Sequence, residues 1–208
     1  MISDRVSNCH ELYKLGERVD GVYKIYPNTK LNNSIDVYCE LANGGWTRIM
    51  YKADTLESTF HKSFNDYEQG FGNPLSSNWI GLENMFYLTN QQRMSLRVEF
   101  SNWKFVQYVN EYESFILGPN VDGYRLHLGK NILSTIDINF HRQDNQVFST
   151  FDNNHGSANC ANLFNGGWWF EQCYSVCLTC QHQGGGQTQL NDKVQRWYES
   201  IKMLIRPN

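Results

Sequence analysis

Six cysteines constrain this chain more than any other feature: Cys9 and Cys39 near one end, and Cys160, Cys173, Cys177 and Cys180 crowded toward the other. An even set of this kind fits an oxidised, secreted domain held by disulfides, although spacing alone does not choose among the many possible pairings. Asn32-Asn33-Ser34 is the single N-glycosylation sequon, with Asn32 as acceptor in a polar, turn-like stretch, and it agrees with secretion. The opening Met1-Ile2-Ser3-Asp4-Arg5-Val6-Ser7 has no apolar signal-peptide core; a mature chain and a fragment of a precursor both fit that. Lys plus Arg is 18 against 21 for Asp plus Glu, and the net charge of −3 excludes a bulk electrostatic grip on nucleic acid or anionic membrane. No apolar run is long enough to span a bilayer, so membrane insertion is not expected. Aromatic residues at 14% exclude general disorder.

Alternation sets the fold class. Met94, Leu96, Val98 and Phe100 alternate with Arg93, Ser95, Arg97 and Glu99, a period of two that makes 93–100 a half-buried strand. Tyr124, Leu126 and Leu128 repeat the pattern against Arg125 and His127. Residues 21–25, 35–41, 46–52, 104–115 and 201–206 read as further strands. Ala42-Asn43-Gly44-Gly45 is a hairpin signal because Asn and Gly tolerate positive φ. Residues 61–68 and 82–88 read as short helices, and from Asp144 onward periodicity fades into Asn, Gln, Gly and Cys. The pattern predicts one continuous α+β domain over 1–208, with sub-lobes near 9–52, 53–143 and 144–208, the last loop-rich and held by cysteines.

The motifs then resemble a known family. Gly21-Val22-Tyr23-Lys24-Ile25, Val37-Tyr38-Cys39-Glu40 and Gly44-Gly45-Trp46-Thr47 are followed in order by Phe64-x-x-Tyr67-x-x-Gly70-Phe71-Gly72 and Trp79-Ile80-Gly81-Leu82-Glu83. Leu88-Thr89-x-Gln91, Leu96-Arg97-Val98-Glu99, Tyr112-x-x-Phe115 and Phe148-Ser149-Thr150-x-Asp152 continue the series. Asn159-Cys160-Ala161, Gly166-Gly167-Trp168-Trp169-Phe170-x-x-Cys173 and Ile205-Arg206-Pro207 complete it. Together they resemble the fibrinogen C-terminal (fibrinogen-related) domain from Cys9 almost to the end. The resemblance implies a small N-terminal lobe, a central lobe with an antiparallel sheet and a C-terminal recognition lobe. It also implies Cys9–Cys39 and Cys160–Cys173 bridges, and leaves Cys177 and Cys180 outside the family pattern.

The same resemblance locates candidate sites and shows where this chain departs from them. Family members carry a calcium loop where this chain has Asp152-Asn153-Asn154-His155-Gly156-Ser157-Ala158-Asn159. Asp152 and Asn154 are the calcium candidates, but one acid offers little to an ion that prefers several carboxylates, so an Asx-rich turn is the preferred reading and no cofactor is expected. In lectin-like members a pocket floor is formed by the peptide before the second cysteine, often cis and followed by His; here that peptide is Gln172–Cys173, followed by Tyr174. The next family segment is shortened to 181–200, so part of the pocket wall is missing. Tyr174, Trp197 and Tyr198 are the candidates for a recessed aromatic patch that binds ligand; the competing reading has them close the lobe's small core. Cys173-x3-Cys177-x2-Cys180-x-His182 admits a tetrahedral zinc or redox site, but a Cys177–Cys180 bridge accounts for every cysteine and is preferred.

Catalysis finds little support, since the six His are scattered and neither a Gly-x-Ser-x-Gly elbow nor a His-Glu-x-x-His run occurs. The expectation is a secreted, non-enzymatic recognition domain that binds a protein receptor, matrix or glycan through its C-terminal lobe, with an acetyl-sugar-binding lectin as the alternative. The resemblance also implies oligomers formed through segments outside this chain.

Overall fold

The computed structural model describes residues 5–28, 33–54, 59–102, 107–136, 138–155, 158–173, 176–181 and 198–208. Its first third holds α1 (Cys9–Lys14), β1 (Gly21–Ile25), β2 (Ile35–Glu40) and β3 (Trp46–Lys52). There follow α2 (Phe64–Gln69), β4 (Phe71–Gly72), β5 (Asn78–Trp79), α3 (Leu82–Gln91), β6 (Met94–Ser101) and β7 (Gln107–Tyr112). The hairpin of β8 (Phe115–Leu117) and β9 (Leu126–Leu128), then β10 (Asn131–Ser134), α4 (Cys160–Leu163) and β11 (Ser200–Pro207), complete the described elements.

One antiparallel sheet runs β1-β2-β3-β11-β6-β7-β10, with β5 pairing β3 and carrying β4, while β8 and β9 pair separately. The strand after the loop-rich segment therefore fills the centre of the sheet. Ile201, Met203 and Ile205 of β11 face the core beside Phe100, Val98 and Leu96 of β6, the face predicted from their alternation. The expected α+β architecture with a central antiparallel sheet is the one observed.

Local chemistry explains the element ends. The Asn8 side chain accepts the N–H groups of His10 and Glu11 and so starts α1, a helix absent from the sequence-based prediction. Ser63 and Asp66 form a reciprocal capping box that starts α2 at Phe64, a few residues later than expected. Between β2 and β3, Gly45 has φ +79°, and a Cβ there would lie 2.8 Å from the His10 Cα and 2.7 Å from the Tyr13 Cβ. The turn needs glycine both for its backbone and to let α1 lie against it.

Cys9–Cys39 ties α1 to β2 and Cys160–Cys173 closes the C-terminal lobe, as the resemblance implied; Cys177–Cys180 is the third bridge, and no described cysteine is free. Among the described residues no helix is long and apolar enough to cross a membrane. The sequon acceptor Asn32 lies outside the described residues.

Candidate functional site

The C-terminal lobe and the body share one aromatic core. Tyr67 of α2 stands at its centre, edge-on to Phe71 and Trp79 and tilted against Phe148. Its hydroxyl donates to the Phe60 carbonyl at 2.7 Å and accepts the Gly167 N–H at 3.0 Å, and burial pushes the phenol far above its usual pKa. The Trp79 indole donates to the Tyr67 carbonyl and the Trp169 indole to the Tyr124 carbonyl. Trp168 and Trp169 are fully buried, so this Trp-Trp-Phe run is scaffold rather than an exposed patch. Gly167 is required by close approach: a Cβ there would meet Tyr67 at 2.7 Å and Phe148 and Thr150 at 3.0 Å.

The loop around the third disulfide is anchored from beneath. Lys52, the last residue of β3, is fully buried, and its ammonium donates to the carbonyls of Thr179 at 3.3 Å and Cys180 at 2.5 Å. Thr179 donates its hydroxyl to the Gly167 carbonyl at 2.6 Å, and the Gln181 N–H reaches the Phe164 carbonyl. Charge-assisted bonds thus fix the backbone of a segment that the family pattern did not include.

The sequence-predicted site residues that the structure describes lie in different surroundings. Asp152 is exposed, and its Oδ1 accepts the Phe64 N–H at 3.0 Å and the Thr150 hydroxyl at 2.7 Å, which clamps the start of α2 to the C-terminal lobe. Asn154 is exposed two residues further on. Tyr198 is 3% exposed and packs on Phe100 and Tyr108, with ring centroids 4.9 and 5.9 Å away, beneath β6 and β7. Apolar burial against the sheet prevails there over display to a ligand. Tyr174, Trp197 and His182 lie outside the described residues. The Gln172–Cys173 peptide is trans. Cys173, Cys177 and Cys180 are all in disulfides, so the three thiolates that the zinc alternative required are not available.

Among the described residues of the lobe, two large apolar side chains are exposed. Phe151 is 38% exposed and stacks on His61 at 4.9 Å, and Leu163 of α4 is 50% exposed. The Asn159 side chain donates to the Phe151 carbonyl.

A second polar assembly, on the opposite face of the sheet from the core, escaped the sequence-based reading. Register puts Lys202 of β11 beside Glu99 of β6, with Glu40 of β2 within reach. Its ammonium lies 2.8 Å from Glu40 and 3.6 Å from Glu99, while Arg97 pairs with Glu111 at 2.6 Å. Burial, and then the Glu40 carboxylate, hold the Glu99 carboxyl above its usual pKa against the opposing pull of Lys202 and Arg97.

Comparison with known proteins identifies the lineage of this scaffold. Residues 5–206 match the family described as the C-terminal globular domain of fibrinogen beta and gamma chains. The chain belongs to that family. Among curated relatives, this fibrinogen-like domain is 30% identical to human fibrinogen-like protein 1, over 97% of its own length and 72% of the relative's. It is 31% identical to human angiopoietin-2, over 96% of its own length but only 42% of that protein. Among solved structures, the fibrinogen-like globe domain of human ANGPTL2 matches with 29% identity and a TM-score of 0.87, covering 98% of this chain and 99% of the other. The lamprey fibrin D-dimer complexed with the peptide ligand Gly-His-Arg-Pro-amide matches with 25% identity and a TM-score of 0.82, over 99% and 75% of the two chains.

Proposed function

We propose that this fibrinogen-like domain is a secreted, non-catalytic recognition module that binds a protein partner through its C-terminal lobe. The observation that carries this reading is the lobe's construction. Two disulfides cross-link it, the buried Lys52 ties its Thr179 and Cys180 carbonyls to β3, and Phe151 and Leu163 are exposed on it. Apolar side chains exposed on a cross-linked lobe suit a protein interface, because cross-links limit the conformational freedom lost on contact. The peptide ligand of the lamprey fibrin structure lends weight to a proteinaceous partner. Pairing of all six cysteines supports an oxidising, extracellular setting. Asp152 serves as a clamp between helix and lobe, which favours recognition without calcium.

The test is to present the folded domain to an array of receptor ectodomains and to a glycan array in the same buffer, with calcium and with chelator. Saturable binding to an ectodomain, lost in Phe151→Ser combined with Leu163→Ser at unchanged melting temperature, is the expected result. Binding confined to glycans and displaced by N-acetylated sugars would replace this reading with the lectin alternative.

A further inference from the structure

A cleft of about 530 Å³ opens on the outer face of the sheet, across β2, β3, β11 and β6 and away from the C-terminal lobe. Its floor holds Tyr38, Glu40, Arg48, Glu99 and Lys202, and the exposed Leu75 stands at its rim. Its size falls in the range of small-ligand sites. Arg48 is only 5% exposed. Its guanidinium is clamped between the rings of Tyr38 and Tyr51, 4.3 Å from each centroid. It donates to the Pro74 carbonyl, makes no ion pair among the described residues, and leaves its Nε without an acceptor. A buried guanidinium has five donors to satisfy, and one carbonyl meets only part of that need. Burial accordingly pulls Arg48 below its usual pKa.

The complementary deficit sits two strands away. Glu99 meets Lys202 only at 3.6 Å and Arg97 at 3.7 Å, because Lys202 is drawn to Glu40 at 2.8 Å and Arg97 to Glu111 at 2.6 Å. Thus one cavity contains a buried cation with no ion pair among the described residues and a largely buried carboxylate whose cations are drawn to other partners, and the two do not pair with each other. A purely anionic ligand would meet Glu40, Glu99 and Asp20; a purely cationic one would meet Arg48 and Lys202. A ligand that carries both charges answers both deficits.

We propose that this cleft binds a short zwitterionic peptide, its carboxylate on Arg48 and its ammonium on Glu99, with an apolar side chain against Leu75. Strands β3 and β6 flank β11, and Arg48 and Glu99 stand opposite Leu204 and Lys202, so the two positions lie roughly 12 Å apart on the sheet. The termini of a di- or tripeptide span roughly 7–10 Å, and the reach of the two side chains covers the rest. The tyrosine pair fixes the guanidinium in place before the ligand arrives.

The test titrates glycyl-glycyl-leucine into the isotope-labelled domain and follows backbone amide resonances. Parallel titrations use the C-terminal amide and the N-acetyl derivative of the same tripeptide. The free tripeptide should shift resonances of β2, β3 and β6 around Tyr38, Arg48 and Glu99, and each capped form should bind at least about tenfold more weakly. Arg48→Gln should make the free acid and the amide equivalent, and Glu99→Gln should do the same for the free and acetylated amines. Should Arg48→Gln fail to fold, the ligand series on the unaltered domain still decides. Equal shifts from all three peptides, shifts confined to other faces, or none up to about 10 mM would overturn the proposal.

Discussion

Removal of the third disulfide should cost more than its chain entropy allows, and the excess should vanish when Lys52 is neutralised. The bridges span 30, 13 and 3 residues, for which loop-closure entropy gives about 3.6, about 2.9 and about 1.6 kcal/mol. On entropy alone, Cys177→Ala with Cys180→Ala is the mildest of the three lesions. The Thr179 and Cys180 carbonyls, however, accept from a fully buried ammonium at 3.3 and 2.5 Å. Once the loop drifts, that buried ammonium loses charge-assisted bonds worth roughly 1.5–3 kcal/mol in all. The double substitution should therefore cost about 3–5 kcal/mol in the parent, but only about 1.6 kcal/mol in a Lys52→Met background, where those two bonds do not exist. Guanidinium unfolding of the four proteins measures this as a coupling of about 1.5–3 kcal/mol. Additivity within about 0.5 kcal/mol would show that Lys52 does not depend on the bridged loop, and the reasoning would fail.

Asp152→Ala should cost about 1 kcal/mol, or roughly 2–4 °C in melting temperature, since the Phe64 N–H and Thr150 hydroxyl lose their acceptor. That loss should be equal with calcium and with chelator; calcium stabilisation of the parent that disappears in the variant would make Asp152 a metal ligand instead. Glu99→Gln should gain on the parent as pH rises from about 4 to about 7. The raised carboxyl favours the folded state while protonated, and that advantage is lost as pH climbs through its folded-state pKa. Melting curves across that window check the sign, and a difference that shrinks with rising pH would contradict it. Gly167→Ala should destabilise by about 1–3 kcal/mol in chemical denaturation, because the new methyl would meet Tyr67 at 2.7 Å.

The alternation of β6 was legible because each of its two faces meets one environment, apolar or polar, along its whole length. Lys52 was not legible. It closes a strand that reads as hydrophobic, and the carbonyls that tolerate its charge lie 127 and 128 residues away. Tyr198 was ambiguous for a related reason, since an aromatic side chain in a polar stretch reads alike whether it meets a ligand or packs, as here, on Phe100 and Tyr108. The outer cleft was hidden differently. Glu40, Arg48, Glu99 and Lys202 each look like ordinary solvent-facing residues, and only the pairing of β11 between β3 and β6 brings them together. The four family cysteines were paired correctly by resemblance, while spacing alone left the pairing open.

The central position of β11 bears on how the chain is made. Until residues 200–207 are available, β3 and β6 face one another across an empty slot, and each offers a long row of unpaired amides and carbonyls. At roughly 5–20 residues per second, translation needs about 5–20 s to pass from β6 to β11. During that interval two half-sheets exist side by side, and a strand from another molecule can occupy the gap. Chains arrested before Ser200 should therefore aggregate in a way that an added peptide of the β11 sequence suppresses. Vectorial synthesis exposes this domain most just before its middle strand arrives, and a chaperone has its strongest reason to hold the chain at that moment.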